Sequence, residues 1–181
     1  MKSEAKSPSQ WAKETRSNFE RLVCEGDQIN SNGLTERIDN AAILACHHDG
    51  DTLVGVAALK NPADSYRLKV SRLSGFDLSS NLFPFELGWV YVVPEKRGRG
   101  LARQLVAACL NAEKPAGVYA TTREDNVSMQ SCLHKNGFRR AGQPYKSKQG
   151  DHYLVLYVRE EPMAQLSMPT ASDGVSGLES S

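Results

Sequence analysis

Apolar residues recur with a period of about 3.6 residues in several segments, which is typical of amphipathic helices. In residues 10–25, Trp11, Phe19, Leu22 and Val23 fall on one side of such a helix. This segment is therefore predicted to be the first helix of the chain. Further helices are predicted over residues 35–40, 66–73, 101–113 and 126–136.

Other segments are continuously apolar, or aromatic and β-branched, which indicates strands. Residues 41–48 and 52–60 are joined by an Asp-Gly turn at residues 49–51, a pattern that predicts a β-hairpin. The strongest strand candidate is 85–93, which stops at Pro94. Further strands are predicted over residues 118–122, 138–145 and 152–159. The order of elements predicts an α/β fold with a mixed sheet of about six strands.

The length of 181 residues, with 40% hydrophobic and 24% charged residues, is that of one globular domain. No stretch approaches the roughly 20 apolar residues that a spanning helix needs, so no membrane partner is expected. No secretory signal is recognised at the start, and a cytoplasmic location is predicted. Residues 1–9 and 161–181 are polar or rich in Ser, Gly and Pro. Both ends are predicted to be disordered, which leaves residues 10–160 as the domain.

Four cysteines, Cys24, Cys46, Cys109 and Cys132, are far apart and form no CxxC pair. This spacing argues against a zinc site and gives no disulfide framework, so reduced thiols and no metal are predicted.

A net charge of +1 implies neither a nucleic-acid nor a membrane partner. Basic residues nevertheless cluster at 67–72, 96–103 and 135–148. A solvated face is the default interpretation of each cluster. An anionic ligand is the alternative for the middle cluster, because glycines interrupt it.

The middle cluster lies between the strongest strand and the helix over 101–113. Gly98 and Gly100 allow a ligand to approach the backbone, and the amides that follow begin a helix whose N-terminus attracts phosphate. A P-loop would need Lys-Ser or Lys-Thr after a glycine, and a dinucleotide loop would need glycine at Arg103. The segment therefore predicts a different phosphate-binding loop, with an ordinary glycine-rich turn as the alternative.

Residues Arg97, Gly100 and Ala102 match [Q/R]-x-x-G-x-[G/A], and the segment resembles the acetyl-CoA signature of the GCN5-related N-acetyltransferase (GNAT) family. A second similarity follows in the expected order. Asn126 begins a predicted helix that is followed by Gly-Phe at residues 137–138, as is common in that family. The resemblance covers about residues 41–158 but leaves 61–84 unmatched.

The resemblance implies a mixed, mostly antiparallel sheet of six to seven strands with flanking helices, and acetyl-CoA as co-substrate. Main-chain groups near Val92 would pair with the pantetheine arm in a gap between two diverging parallel strands, and an N–H there would meet the oxyanion. The loop would hold the pyrophosphate, and Asn126 would meet the pantetheine or the sheet edge. The implied cofactor-binding residues are Val92, Arg97, Gly98, Arg99, Gly100, Leu101, Ala102, Arg103 and Asn126.

Acetyl transfer needs a neutral amine, and an ammonium of pKa ~10.4 is only about 0.1% neutral near pH 7.5. Glu86 is the candidate catalytic base, since it lies on the strand that leads to the loop. Regular alternation would place it on one face with Gly88, Val90 and Val92. The alternative is a carboxylate that only balances nearby arginines.

Members of this family commonly carry a tyrosine seven residues after the Asn, as the acid for the CoA thiolate. Leu133 stands at that position here. Tyr145 is the first candidate to replace it and is the second predicted catalytic residue, followed by Cys132 and His134.

The leading functional hypothesis is an acetyl-CoA-dependent N-acetyltransferase that acts on an amine of a small molecule or protein. One alternative is a cofactor-binding regulatory or interaction module with little turnover. Another is an enzyme that acetylates a translation component such as aminoacyl-tRNA. The basic clusters at 67–72 and 135–148 suggest this alternative. Nucleic acid is therefore kept as a less favoured partner, and a monomer or homodimer is expected.

Overall fold

A computed structural model describes residues 3–26 and 32–160 of the chain. Seven strands and five α-helices follow one another in the order β1, α1, α2, β2, β3, α3, β4, α4, β5, α5, β6, β7 within the described residues. The strands are β1 (Ser3–Lys6), β2 (Ile43–Asp49), β3 (Thr52–Lys60), β4 (Phe85–Val92), β5 (Gly117–Arg123), β6 (Arg139–Lys146) and β7 (Tyr153–Glu160). The helices are α1 (Lys13–Glu25), α2 (Leu34–Asp39), α3 (Asp64–Ser74), α4 (Leu101–Glu113) and α5 (Val127–Lys135).

The strands form a seven-stranded sheet in the order β1-β2-β3-β4-β5-β7-β6. Neighbouring strands are antiparallel except for the parallel pair β4 and β5. The mixed, mostly antiparallel α/β sheet expected from the sequence is thus confirmed.

The N-terminal segment differs from the sequence-based prediction. Residues 1–9 were expected to be disordered, but Ser3–Lys6 pairs with β2, with Ser3 opposite His47 and Lys6 opposite Leu44. Four residues are too few to show the alternation of apolar and polar side chains that predicts a strand. The pairing depends instead on main-chain hydrogen bonds to the open edge of β2. The predicted tail at 161–181 lies outside the described residues.

The first helix also begins later than predicted, at Lys13 instead of residue 10. Pro8–Gln10 forms a short 3-10 turn before it. Trp11 is buried between these two elements, and its indole Nε1 donates to the carbonyl of Leu44 over 3.2 Å. The apolar residues that the sequence pattern assigns to one helix therefore belong to a turn and a helix. Both cover the same part of the sheet.

Two faces of the sheet are covered by different helices. On one face, α4 and α5 contribute Leu105 and Leu133 to the largest apolar core. On the other face, α1 contributes Phe19 to a core over β2 and β3, while Val70 of α3 packs over β5, β6 and β7. The two helices α1 and α3 thus flank the middle of the sheet, where β4 meets β5.

Strands β4 and β5 pair only at their first residues. The register runs from Phe85 opposite Val118 to Leu87 opposite Ala120, and no later pair is formed between the two described strands. Beyond Leu87 the strands diverge and leave a gap in the sheet. The gap between parallel strands that the family resemblance implied is therefore present.

A β-bulge reverses the faces along β4. The register with β3 shifts between Val56 and Ala58, so β4 carries an extra residue at this point. Leu87 and Val92 both pack in the core below α4, although five positions separate them. Regular alternation would place them on opposite faces.

Trp89 lies in the bulge with a φ of +51°, a region that bulky residues rarely adopt. Trp89 and Tyr91 pack on the α1 side of the sheet, whereas Val90 packs on the α4 side. The prediction that Glu86 shares one face with Val90 and Val92 is wrong, because the extra residue breaks the two-residue period between them.

Candidate active site

A cavity of about 1230 Å³ opens at the gap between β4 and β5. The loop before α4 lines one end, and the start of α5 lines the wall beside it. On the opposite face of the sheet, Lys60, Tyr66 and Glu86 line the other end. The cavity therefore passes through the sheet and joins the phosphate-type loop to a buried carboxylate.

The loop before α4 has the geometry of an anion cradle. Gly98 and Gly100 each have a φ of +75°, and a Cβ added at either position would meet no atom within 4 Å. The first helical hydrogen bond of α4 runs from the amide of Gln104 to the carbonyl of Gly100. The amides of Leu101 and Ala102 precede that bond, and both residues line the cavity. Open backbone at a helix N-terminus fits the pyrophosphate of acetyl-CoA.

Not every basic residue of this loop belongs to the cavity. Arg97 lines it, whereas Arg99 and Arg103 are exposed and lie outside its lining. Lys96 is held by an ion pair with Asp49 at the β2–β3 turn. Arg97 is therefore the loop guanidinium placed to meet a phosphate directly.

Val92 directs its main chain toward the gap. The amide of the next residue, Val93, donates to the carbonyl of Val54 on β3, so the N–H and C=O of Val92 point the opposite way. The carbonyl of Val92 accepts a hydrogen bond from Arg97 Nε at 2.9 Å. The Arg97 guanidinium also lies 5.5 Å from the ring centroid of Tyr91. The N–H of Val92 is thus the main-chain group oriented toward a ligand in the gap.

Arg97→Ala is expected to weaken acetyl-CoA binding about tenfold, in keeping with the loss of one charge-assisted contact at an exposed site. Arg103→Ala is the matched control, since it removes the same charge six positions later outside the cavity. Isothermal titration calorimetry would measure both affinities. Equal losses in the two variants would indicate general charge attraction and contradict the assignment of Arg97.

Asn126 lines the cavity and caps α5. Its side-chain oxygen accepts a hydrogen bond from the amide of Met129 at 3.0 Å. The residue therefore has a structural role at the helix start, and its predicted contact with pantetheine remains a proposal.

Glu86 is 5% exposed and borders the cavity. Its Oε2 lies 2.9 Å from Nζ of Lys60, and its Oε1 accepts a long hydrogen bond of 3.4 Å from the hydroxyl of Tyr66. Burial, followed by the charge of Glu86, raises the pKa of Tyr66, so the phenol keeps its proton and donates it. Among the described residues, the ion-pair partner of Glu86 is therefore a lysine and not an arginine.

The sequence-based prediction did not identify Lys60 or Tyr66 as site residues. Lys60 ends β3 directly opposite Glu86. Tyr66 belongs to α3, within the segment 61–84 that the family resemblance left unmatched. Lys60 ends the predicted strand 52–60, but no sequence signal sets the register of that strand against β4 or places Tyr66 of α3 beside Glu86.

Tyr145 does not line the cavity. It is 7% exposed, packs in the core below α3, and its hydroxyl has no hydrogen-bond partner among the described residues. Burial, and to a lesser extent the charge of Glu86, raises the pKa of Tyr145. A buried phenol outside the cavity is poorly placed to protonate a thiolate, so the structure argues against Tyr145 as the acid.

Tyr145→Phe is expected to change turnover less than about threefold and to raise the free energy of unfolding by about 1 kcal/mol, because it removes a buried hydroxyl without a partner. Thermal unfolding and steady-state kinetics would measure the two effects. A loss of turnover with acetyl-CoA binding intact would restore Tyr145 as the acid.

The position of the usual tyrosine and the two other acid candidates, Cys132 and His134, are also constrained by packing. Leu133 is fully buried in the main core. Cys132 lines the cavity, but burial raises the pKa of its thiol. His134 packs edge-on against Tyr157, with ring centroids 5.2 Å apart. Of these three positions, only Cys132 reaches the cavity.

Four of the eight basic residues in the clusters at 67–72 and 135–148 form ion pairs. Arg67 is 6% exposed and pairs with Asp64 at 2.7 Å. Three residues of the 135–148 cluster pair with acidic residues at 3.0 Å; they are Arg139 with Glu160, Arg140 with Glu124, and Lys146 with Asp151. These ion pairs favour the interpretation as a solvated face over an RNA-binding surface.

The four cysteines are free thiols in the structure. Within residues 3–26 and 32–160, no group of three or more His, Cys, Asp or Glu side chains is arranged to hold a metal ion. In the same part of the chain, no helix has the length and apolar character to cross a membrane.

These features converge on one family. A model of the acetyltransferase (GNAT) family matches residues 8–138, well over half of the chain. The chain belongs to the GNAT acetyltransferase family, as the sequence resemblance indicated. No curated protein matches the sequence at a significant level.

The fold is similar to several solved structures. The protein yncA from Salmonella typhimurium, solved with its cofactor acetyl-CoA, is 14% identical with a TM-score of 0.58, covering 97% of this chain and 99% of that chain. ElaA from Escherichia coli is 18% identical with a TM-score of 0.60 over 88% and 99%. The E. coli ribosomal-protein-S18-alanine N-acetyltransferase is 12% identical with a TM-score of 0.63 over 92% and 98%. At these identities the similarity establishes the fold alone.

Proposed function

We propose that this protein transfers the acetyl group of acetyl-CoA directly to the amine of a small molecule or protein, with Glu86 as the general base. The single observation that carries the proposal is a buried carboxylate in the same cavity as the glycine loop, on the opposite face of the sheet. The two substrates would approach the gap from different faces. Acetyl-CoA supplies an activated thioester when bound.

The residues of the cofactor side would bind and orient that substrate. The amides that begin α4, together with Arg97, would hold the pyrophosphate. The N–H of Val92 would pair with the pantetheine arm or meet the charge that develops on the acetyl oxygen, and such a donor is worth roughly 3 kcal/mol. Gly98 and Gly100 would allow the pyrophosphate to approach the backbone of the loop, because neither residue carries a Cβ.

The residues of the acceptor side would prepare the amine. Glu86 would accept a proton from the incoming ammonium, and Tyr66 would hold the carboxylate by its hydrogen bond. The cavity on this side is bordered by the end of α1 and by the loop between β6 and β7, through Glu25, Ser147 and His152. These walls, rather than the glycine loop, would select the acceptor.

The experiment that tests the proposal is an acetyl-CoA consumption screen over polyamines, aminoglycosides, amino acids and peptides. Transfer to at least one amine, with loss of the activity in Glu86→Gln, is expected. Binding of acetyl-CoA without transfer to any amine would instead favour the cofactor-binding module. A cytoplasmic location and a monomeric or homodimeric state remain part of this proposal.

A further inference from the structure

One amine of the protein already lies where an acceptor amine would meet Glu86. Nζ of Lys60 is 2.9 Å from the carboxylate, and Lys60 lines the cavity with 21% of its side chain exposed. No other lysine in the described residues forms an ion pair with Glu86.

Gly88 has no side chain, and this leaves room for the Lys60 side chain to cross the backbone of β4. A Cβ added to Gly88 would lie 2.7 Å from Cε of Lys60 and 2.9 Å from its Nζ. The amine therefore lies directly over Gly88, the first residue after the last pair between β4 and β5. Nζ is also 5.3 Å from the ring centroid of Trp89 in the bulge. The lysine thus reaches the point where the sheet opens.

We infer that Lys60 is an internal acceptor, and that the protein acetylates its own Lys60 side chain from acetyl-CoA. This inference rests on the proposed acetyl transfer and extends it to a residue of the chain itself. A second cavity lysine, Lys96, pairs with Asp49 at the β2–β3 turn, but the Asp49 side chain is 31% exposed and lies outside the cavity lining.

The transfer converts the Lys60 ammonium and the thioester into an amide and a thiol. The Lys60 ammonium gives one proton to Glu86, which passes it to solvent. The nitrogen lone pair forms the new C–N bond with the acetyl carbon while the C–S bond of the thioester breaks. The second proton leaves the nitrogen and ends on the CoA sulfur. The products are an acetylated Lys60, CoA with a free thiol, and one proton in solution.

Acetylation at Lys60 would change its surroundings in a measurable way. The neutral amide would no longer form an ion pair with Glu86, and the cation near Trp89 would be lost. Tryptophan emission is therefore expected to change in step with acetylation of Lys60. This signal does not depend on turnover with an external amine.

The test incubates the full chain with acetyl-CoA and follows acetylation at each lysine by peptide mass spectrometry. Lys13 and Lys69 are exposed internal controls, which simple chemical acetylation would favour over Lys60. Lys60 is expected to react at least about tenfold faster than either control, because its amine is held beside a base. The rate should be independent of protein concentration, as an intramolecular step requires.

Two variants separate the inference from its alternatives. Glu86→Gln should lower the Lys60 rate to that of the exposed lysines. Lys60→Arg keeps a cation beside Glu86 but cannot supply a neutral amine, so the emission change should disappear while the acetyl-CoA-induced rise in melting temperature remains. Lys60 acetylation that is no faster than that of Lys13, or that is unchanged in Glu86→Gln, would overturn the inference.

The outcome is distinguishable from failure of the proposed function. If external amines are acetylated while Lys60 stays unmodified, the inference is wrong and the proposed function stands. If Lys60 is acetylated rapidly and no external amine is, the inference is supported and the proposal of an external acceptor is wrong.

Discussion

Gly100→Asp is expected to abolish the rise in melting temperature that acetyl-CoA produces in the parent protein. At a ligand concentration a hundred times Kd, mass action stabilises the parent by about 2.7 kcal/mol. For a domain of this size that corresponds to a rise of roughly 5 to 10 °C. The new carboxylate would project into the open space of the loop, where it excludes and repels the pyrophosphate. Differential scanning fluorimetry with and without acetyl-CoA measures the effect.

Gly75→Asp is the matched control for this variant. Gly75 ends α3 with a φ of +67°, and a Cβ there would also meet nothing within 4 Å. The backbone strain is therefore similar, at roughly 1 kcal/mol, but the position lies outside the cavity. Gly75→Asp should lower the melting temperature and retain the full acetyl-CoA shift. A full shift in Gly100→Asp would show that the loop does not hold the cofactor.

Glu86→Gln is expected to lower turnover about 100-fold while acetyl-CoA binding is retained, because the amide keeps the shape of the side chain but cannot take a proton. The loss should shrink as the pH rises toward the acceptor pKa of about 10.4, where solvent alone supplies the neutral amine. A pH–rate profile of the parent and the variant, at saturating acetyl-CoA, measures both effects.

Glu160→Gln is the control for removal of an ion-paired carboxylate. Glu160 pairs with Arg139 at 3.0 Å at the end of β7, outside the cavity. Its replacement should leave turnover unchanged. Identical pH profiles for the parent and Glu86→Gln would move the role of base to another group or to bulk water.

Local patterns predicted the elements of the cofactor side well. The strand that ends before Pro94, the glycines at 98 and 100, and the helix from Leu101 to Glu113 all occur where the sequence placed them. These features depend on short-range causes: the φ freedom of glycine, the strand propensity of aromatic and β-branched residues, and helical periodicity. The loop motif therefore carried most of the information about the family.

The acceptor side was predicted only in part. Glu86 was identified from its position on β4, but the face it shares was wrong because the bulge at Trp89 shifts the alternation. Tyr145 fits the role of acid by its chemistry and its nearness in sequence to α5, yet it packs in the core below α3. Tyr66 belongs to a segment without any family signal, and only the structure places its hydroxyl beside Glu86.

The sequence by itself determined the α/β class, the phosphate-type loop and the carboxylate on the strand that leads to it. Only the tertiary structure decided that β1 closes one edge of the sheet, that β4 and β5 diverge after Leu87, and that Lys60 and Tyr66 meet Glu86 in the cavity. The physical reason is the distance along the chain over which each kind of interaction acts. Turn, strand and helix preferences act over a few residues, whereas strand order, bulge register and the packing of α3 depend on contacts between segments that are distant in the chain.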